Sequence, residues 1–210
     1  PRKDDTALIE LIESDFPMVL FGSIGHPKEV SVDTPSTDGL RDAVNHVVEF
    51  GHRLIGSIPF SPPGFSAADG RLSELRAFLD SHGIRMDDDC VVAGDFSAES
   101  GFAATLELMA RRPDITAIFA GNDTIALGVI GALAKLGKSV PRDVSVVGFD
   151  DLPFAGFVAP PLTTVRVDAI HQGRCAAEAL MLRLKGKLVP EPRQRFKSTF
   201  IPRSSTSAVR

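Results

Sequence analysis

Short apolar runs with strand character alternate with stretches of helical periodicity along the whole of this 210-residue chain. That alternation excludes most folds, because strands separated by helices of ten to fifteen residues form parallel βαβ units. Residues 5–14 carry Leu8, Ile9, Leu11 and Ile12, a short amphipathic helix, and strands are expected at 17–22 and 30–33. Residues 37–50 place Leu40, Ala43, Val44, Val47 and Val48 on one helix face and end at Gly51. A second series starts at 54–58. It continues through a helix after Ser66, a strand at 90–94, a helix after Ser97, and strands at 117–120 and 144–149 around a helix bearing Ile125, Val129, Ile130 and Leu133. A strand at 162–166, a long helix to Leu184 and one edge strand at 194–201 close the pattern.

The expected fold is α/β, in two Rossmann-like lobes with parallel sheets. Residues 1–51 with 162–187 make a first lobe, and 52–161 with 188–210 make a second. Crossovers between them are expected near Gly51, between Asp150 and Leu162, and near Lys187. The first lobe receives so few strands that much of its sheet would stay uncovered, so it reads as incomplete, its opening units lying outside this sequence.

In parallel α/β sheets the residues just past the strand ends gather on one edge, and ligands bind there. Four strand ends of the second series deliver polar or aromatic groups to that edge: the Phe-rich loop at 59–66, Asp95-Phe96, Asn122-Asp123 and Asp150-Asp151. Arg71 stands near the start of the helix after the first of these loops. Carboxylate and amide can fork adjacent hydroxyls, a guanidinium donates paired bonds, and an aromatic ring covers the apolar face of a sugar. Each residue also has a plainer use. Asn122 can cap its helix, Asp123 can sit in the first turn to favour the dipole, Arg71 can be a surface arginine and Phe96 a core ring. Asp150 resists such an account, since no helical pattern begins after it.

Other chemistries find little support. The net charge of −4 gives no overall attraction to nucleic acid or anionic lipid, and the excess of ten Lys/Arg over three Asp/Glu in 166–210 reads as a solvated helix face. Cys90 and Cys175 stand apart, as small core residues of a reducing compartment, and no apolar run is long enough to span a membrane. The first residues do not form a secretory signal, so a cytoplasmic location is expected. No phosphate loop, dinucleotide fingerprint, nucleophile elbow or metal-binding histidine spacing is present, and neither a cofactor, a metal nor a catalytic residue is expected.

The segments AIFAGNDTIALGVIGAL, VPRDVSVVGFDD and PPLTTV, in that order, resemble the effector-binding core of the LacI/GalR family of bacterial transcription regulators. Gly51-His52-Arg53, Gly94-Asp95-Phe96 and the closing Arg203-Ser204-Ser205-Thr206 extend the likeness over nearly the whole chain. The resemblance implies a periplasmic-binding-protein-like fold with a small-molecule effector, a sugar above all, held between the lobes. It also implies a homodimer and operator DNA bound through an N-terminal headpiece that this sequence lacks. Carried over by position, Arg71, Phe96, Asn122 and Asp150 match effector contacts, with Asp33 and Phe65 on more variable loops. A transport-type sugar-binding protein of the same fold is the alternative, and an enzyme on a Rossmann-like scaffold the third option.

Overall fold

The computed structural model describes residues 2 and 4–209. Its elements follow the expected alternation: α1 (Thr6–Glu13), β1 (Leu20–Phe21), β2 (Ser31–Asp33), α2 (Thr37–Glu49), β3 (Ile55–Ile58), α3 (Ser66–Ser81), α4 (Ala98–Arg111), β4 (Ala117–Ala120), α5 (Asp123–Lys135), β5 (Ser145–Val147), β6 (Thr164–Arg166), α6 (Ala169–Leu184), β7 (Arg193–Arg195) and β8 (Thr199–Ile201). Side-chain caps start four of the helices. Asp5, Ser97, Asn122 and Asp168 each accept from the backbone N–H three residues on, satisfying a donor that the helix itself leaves free.

The second lobe is a three-layer sandwich. Strands β3, β4 and β5 run parallel, with Ile55 opposite Ala117 and Phe119 opposite Val147. On one face α4 and α5 bury Leu108, Ile125, Val129 and Leu133 against Ile58, Ile118 and Val146. All of these are essentially inaccessible, and removing such a side chain costs roughly 2–5 kcal/mol. The two helices meet at glycines: a Cβ on Gly128 would fall 2.0 Å from the Ala98 carbonyl oxygen, and one on Gly101 2.4 Å from that of Ile125. Only residues without a side chain permit so close a crossing.

The other face holds a correction. Helix α2, expected in the first lobe, packs Leu40, Ala43, Val44 and Val47 with Leu75 and Leu79 of α3 onto Ala117, Phe119 and Val147. It is a helix of the second lobe. The first lobe comprises the parallel sheet β1-β2-β7 with α6 packed on β2. Strand β7, expected in the second lobe, therefore belongs to the first, with Val32 opposite Gln194. The single strand foreseen at 194–201 is two strands in different sheets. Leu162–Arg166 moves the other way: Thr163 bridges Val147 and Arg166 bridges Asp150, both in parallel, while β6 pairs antiparallel with β8. The strand foreseen at 90–94 contracts to one bridge, Val91 to Ser57, after a single 3-10 turn.

Packing and pairing thus put the crossovers at Asp33–Ser36, Arg166–Asp168 and Arg195–Ser198, not near Gly51, Asp150–Leu162 and Lys187. The three lie side by side. Phe196 donates its N–H to the Asp33 carbonyl at 2.9 Å, and the Ser198 hydroxyl bonds the Pro35 and Ser36 carbonyls. Gln172 bonds Thr34, and the His171 and Phe196 rings stand 4.8 Å apart.

Candidate functional site

Arg71, in the second turn of α3, lies across the C-terminal edge of the second-lobe sheet. Its guanidinium carbon sits 3.3 Å from the centroid of the Phe149 ring and 5.0 Å from that of Phe60. One terminal nitrogen donates to the Gly121 carbonyl at 2.5 Å, while the buried Nε–H has no hydrogen-bond partner among the described residues. Burial pulls the Arg71 pKa down to about 10, against the charges of Asp150 and Glu74, so the group stays a cation at neutral pH. Its flat, weakly hydrated cation suits two aromatic faces, and the idle donor suits an oxygen-rich ligand.

Asp150 follows β5 with φ of 102°, and Asp151 follows it at 56°. Left-handed backbone costs an L-residue about 1–2 kcal/mol and persists only where surrounding bonds impose it. Here the Asp150 N–H is held by the Val165 carbonyl at 2.8 Å. The Asp151 carboxylate is gripped by Arg166 and Arg203, each at 2.6 Å. Burial pushes the Asp151 carboxyl up, but bonds to Arg203 and Arg166 outweigh it and the net direction is down. Asp150 goes the other way: burial raises its carboxyl, and Arg71 only partly offsets this. No donor among the described residues bonds the Asp150 carboxylate.

The remaining expected residues divide. Phe96 is held at φ of 72°, is 54% exposed, and has its ring centroid 4.8 Å from that of Phe60, so it belongs to the rim and not to the core. Asn122 is a cap: its Oδ1 accepts from the Ile125 N–H at 2.6 Å and its Nδ2 donates to the Phe96 carbonyl at 3.3 Å. One amide hydrogen is left to offer. Asp33, at the end of β2, lines a cavity of about 170 Å³ between the lobes together with Arg71, Glu74 and Arg195. Burial raises its carboxyl, with Arg195 acting against that. Phe65 stands apart, at the N-cap of α3 with its ring 5.7 Å from the Arg2 guanidinium, and does not line this cavity.

Four contributors were not singled out, though the loop carrying Phe60 was expected at this edge. Phe60 and Phe149 sandwich Arg71, Arg195 enters from β7, and Glu74 accepts from the Ser36 and Thr37 hydroxyls at the first crossover. Usable signals existed for Phe60, which lies in that Phe-rich loop, and for Glu74, since Arg71 and Glu74 are three apart and share a helix face. Asp123 is fully buried and serves the fold. Among the described residues no group of three or more His, Cys, Asp or Glu can hold a metal ion, and no helix is long and apolar enough to cross a membrane.

Two lobes with parallel sheets, three adjacent crossovers and a polar cleft define the periplasmic-binding-protein-like class, and the family profile of that description matches residues 44–206. Among curated relatives, the HTH-type transcriptional regulator CelR of Thermobifida fusca is 38% identical over 189 residues, 89% of this chain and 55% of CelR. The lactose operon repressor of Klebsiella pneumoniae is 40% identical over 144 residues, 69% of this chain and 40% of that protein. A solved CelR–cellobiose complex superposes with a TM-score of 0.87 at 35% identity, over 98% of this chain and 63% of that one. A structure from Bacillus cereus subsp. cytotoxis NVH 391-98, described as a transcriptional regulator LacI, gives 0.92 at 30% identity over 100% and 74%. The chain belongs to the LacI family of transcription regulators and covers their effector-binding core. It spans about half the length of the curated relatives it matches.

Proposed function

We propose that this chain is the effector-sensing domain of a DNA-binding transcription regulator and that it binds a small sugar or related polyol in the cleft between its lobes. The observation that carries the reading is the unmatched pair at the cleft: the idle Nε–H of Arg71 and the unbonded carboxylate of Asp150, beside the exposed ring of Phe96. A ring bearing adjacent hydroxyls accepts from the first, donates to the second and lays its apolar face on the third. Asp33 and Arg195 of the first lobe line a cavity with Arg71 of the second, so a ligand touching both walls binds the closed arrangement better and shifts the protein towards it. That shift would be relayed to operator DNA through a headpiece, as the relatives' description as HTH-type regulators suggests. A homodimer fits the same reading, since Phe157 is 91% exposed on the loop after β5 and a dimeric Lac repressor is among the structural neighbours.

Calorimetry on the full-length protein tests this, with cellobiose first because the related CelR structure contains it, then other mono- and disaccharides and purines. Saturable binding of a sugar that also alters operator affinity is the expected result. If no sugar in the panel binds, or one binds with operator affinity unchanged, the reading fails.

A further inference from the structure

Asp123 has no part in the cleft chemistry above, yet it is a fully buried carboxylate whose every bond goes to one of two segments. Its N–H donates to the Phe149 carbonyl at 2.8 Å, and its Oδ2 accepts from the Leu152 N–H at 2.7 Å. Those two bonds bracket Asp150 and Asp151, the pair with left-handed backbone. Its Oδ1 accepts from the Thr164 hydroxyl at 2.6 Å, on the strand that leads to the first lobe. The neighbouring backbone makes room for it: a Cβ on Gly148 would fall 2.3 Å from this oxygen. A helix that needed only a favourable charge in its first turn would leave such a carboxylate in water.

We infer that Asp123 is a positioning residue, clasping the Asp150–Asp151 turn to the crossover strand β6 so that the effector-facing carboxylate and the hinge move as one unit. The role in sensing rests on the function proposed above; the clasp itself does not.

The clasp has a proton dependence of fixed sign. Burial pushes the Asp123 carboxyl up to about 6, while the bonds from Thr164 and Leu152 act to lower it. The charged groups facing it are Asp150 and Asp151 on the turn, both opposing its ionisation. Arg166 of β6 and Arg203 beyond β8 are spent on Asp151, and Arg71 of α3 acts on Asp150. Opening the clasp lets water reach Asp123 and restores its ordinary value. Ionisation therefore favours the open form, and opening grows as pH rises from about 4 to about 6, by up to roughly 100-fold if the whole difference of some two pKa units is expressed.

Hydrogen–deuterium exchange on the full-length protein between pH 4.5 and 7.5, corrected for intrinsic rates, tests both parts. Peptides spanning 149–152 and 163–166 should lose protection together as pH rises from 4.5 towards about 6 and level off above it, while β4 keeps its own. Thr164→Val should abolish that concerted behaviour and Thr164→Ser should retain it; Asp123→Asn should remove the pH step. Independent exchange of the two peptides in the wild type, or wild-type behaviour of Thr164→Val, overturns the inference. Should Asp123→Asn not fold, the Thr164 variants decide. Cellobiose binding is recorded on the same samples. Its absence would count against the sensing reading, leaving the exchange data to judge the clasp.

Discussion

Replacing Gly128 with alanine sets two effects of opposite sign against each other inside one helix. Alanine is better than glycine in a helix interior by about 1 kcal/mol. Yet the added Cβ would lie 2.0 Å from the Ala98 carbonyl oxygen and 2.6 Å from the Phe102 nitrogen. Real Cβ atoms do not approach within 3.0 Å, so α4 and α5 must part by about 1 Å. Both obstacles are backbone, and no rotamer change relieves them. Overpacking of this kind costs about 1–3 kcal/mol, with a rigid contact at the upper end, which leaves a net loss of about 1–2 kcal/mol. Gly131, one turn on in α5, supplies the control. Its nearest neighbours are atoms of the Phe102 ring at 3.6 Å and beyond, an ordinary contact, so Gly131→Ala should stabilise by up to about 1 kcal/mol. Urea unfolding followed by circular dichroism reads both as midpoint shifts of opposite direction. Gly128→Ala should also weaken effector binding, because Asn122 caps α5 and its amide holds the Phe96 carbonyl. Should both variants shift the midpoint the same way, the helix crossing is not as close as described and the argument fails.

Arg71→Met and Asp150→Asn should each weaken binding of the sugar that emerges from the calorimetric panel by about tenfold or more, the range for a charge-assisted hydrogen bond, with thermal midpoints little changed; wild-type affinity in either would misplace the site. Asp33 and Asp150 accept hydroxyl hydrogens best when ionised, and burial raises both carboxyls. Affinity should therefore be flat at neutral pH and fall on acidification while still above the ordinary carboxylate range, a loss that Asp150→Asn should flatten; titration calorimetry across pH reads it. Phe157→Glu should yield a monomer in analytical ultracentrifugation with the fold intact, since that ring touches little of its own chain.

Periodicity and caps made nearly every helix legible, because the apolar stripe and the capping side chain are local properties of the sequence. What they do not carry is the identity of the sheet on which a stripe lands. The stripe of α2 fits either lobe, and only the packing of Leu40, Val44 and Val47 against Phe119 decides it. Arg193–Arg195 is too polar to signal a strand break, so two strands of different sheets read as one. The cleft was legible where a residue type is costly to explain otherwise, as with Asp150. It was obscure where a side chain serves two uses, as Asn122 does, or where an apolar residue such as Phe149 is at once core and platform for a cation. The clasp at Asp123 was hidden: the role expected of it, a favourable charge in the first helical turn, does not call for burial, and its Thr164 partner lies 41 positions away.

The three crossovers lie side by side, tied by the bonds of Phe196, Ser198 and Gln172. Two bodies joined by one flexible tether can rotate about three axes. Joined by three short tethers anchored along a line, they keep easy rotation about that line and little else. A ligand of the cleft would then have one angle to set, and a small change in its shape would move a distant attachment by an amount proportional to its distance from that line.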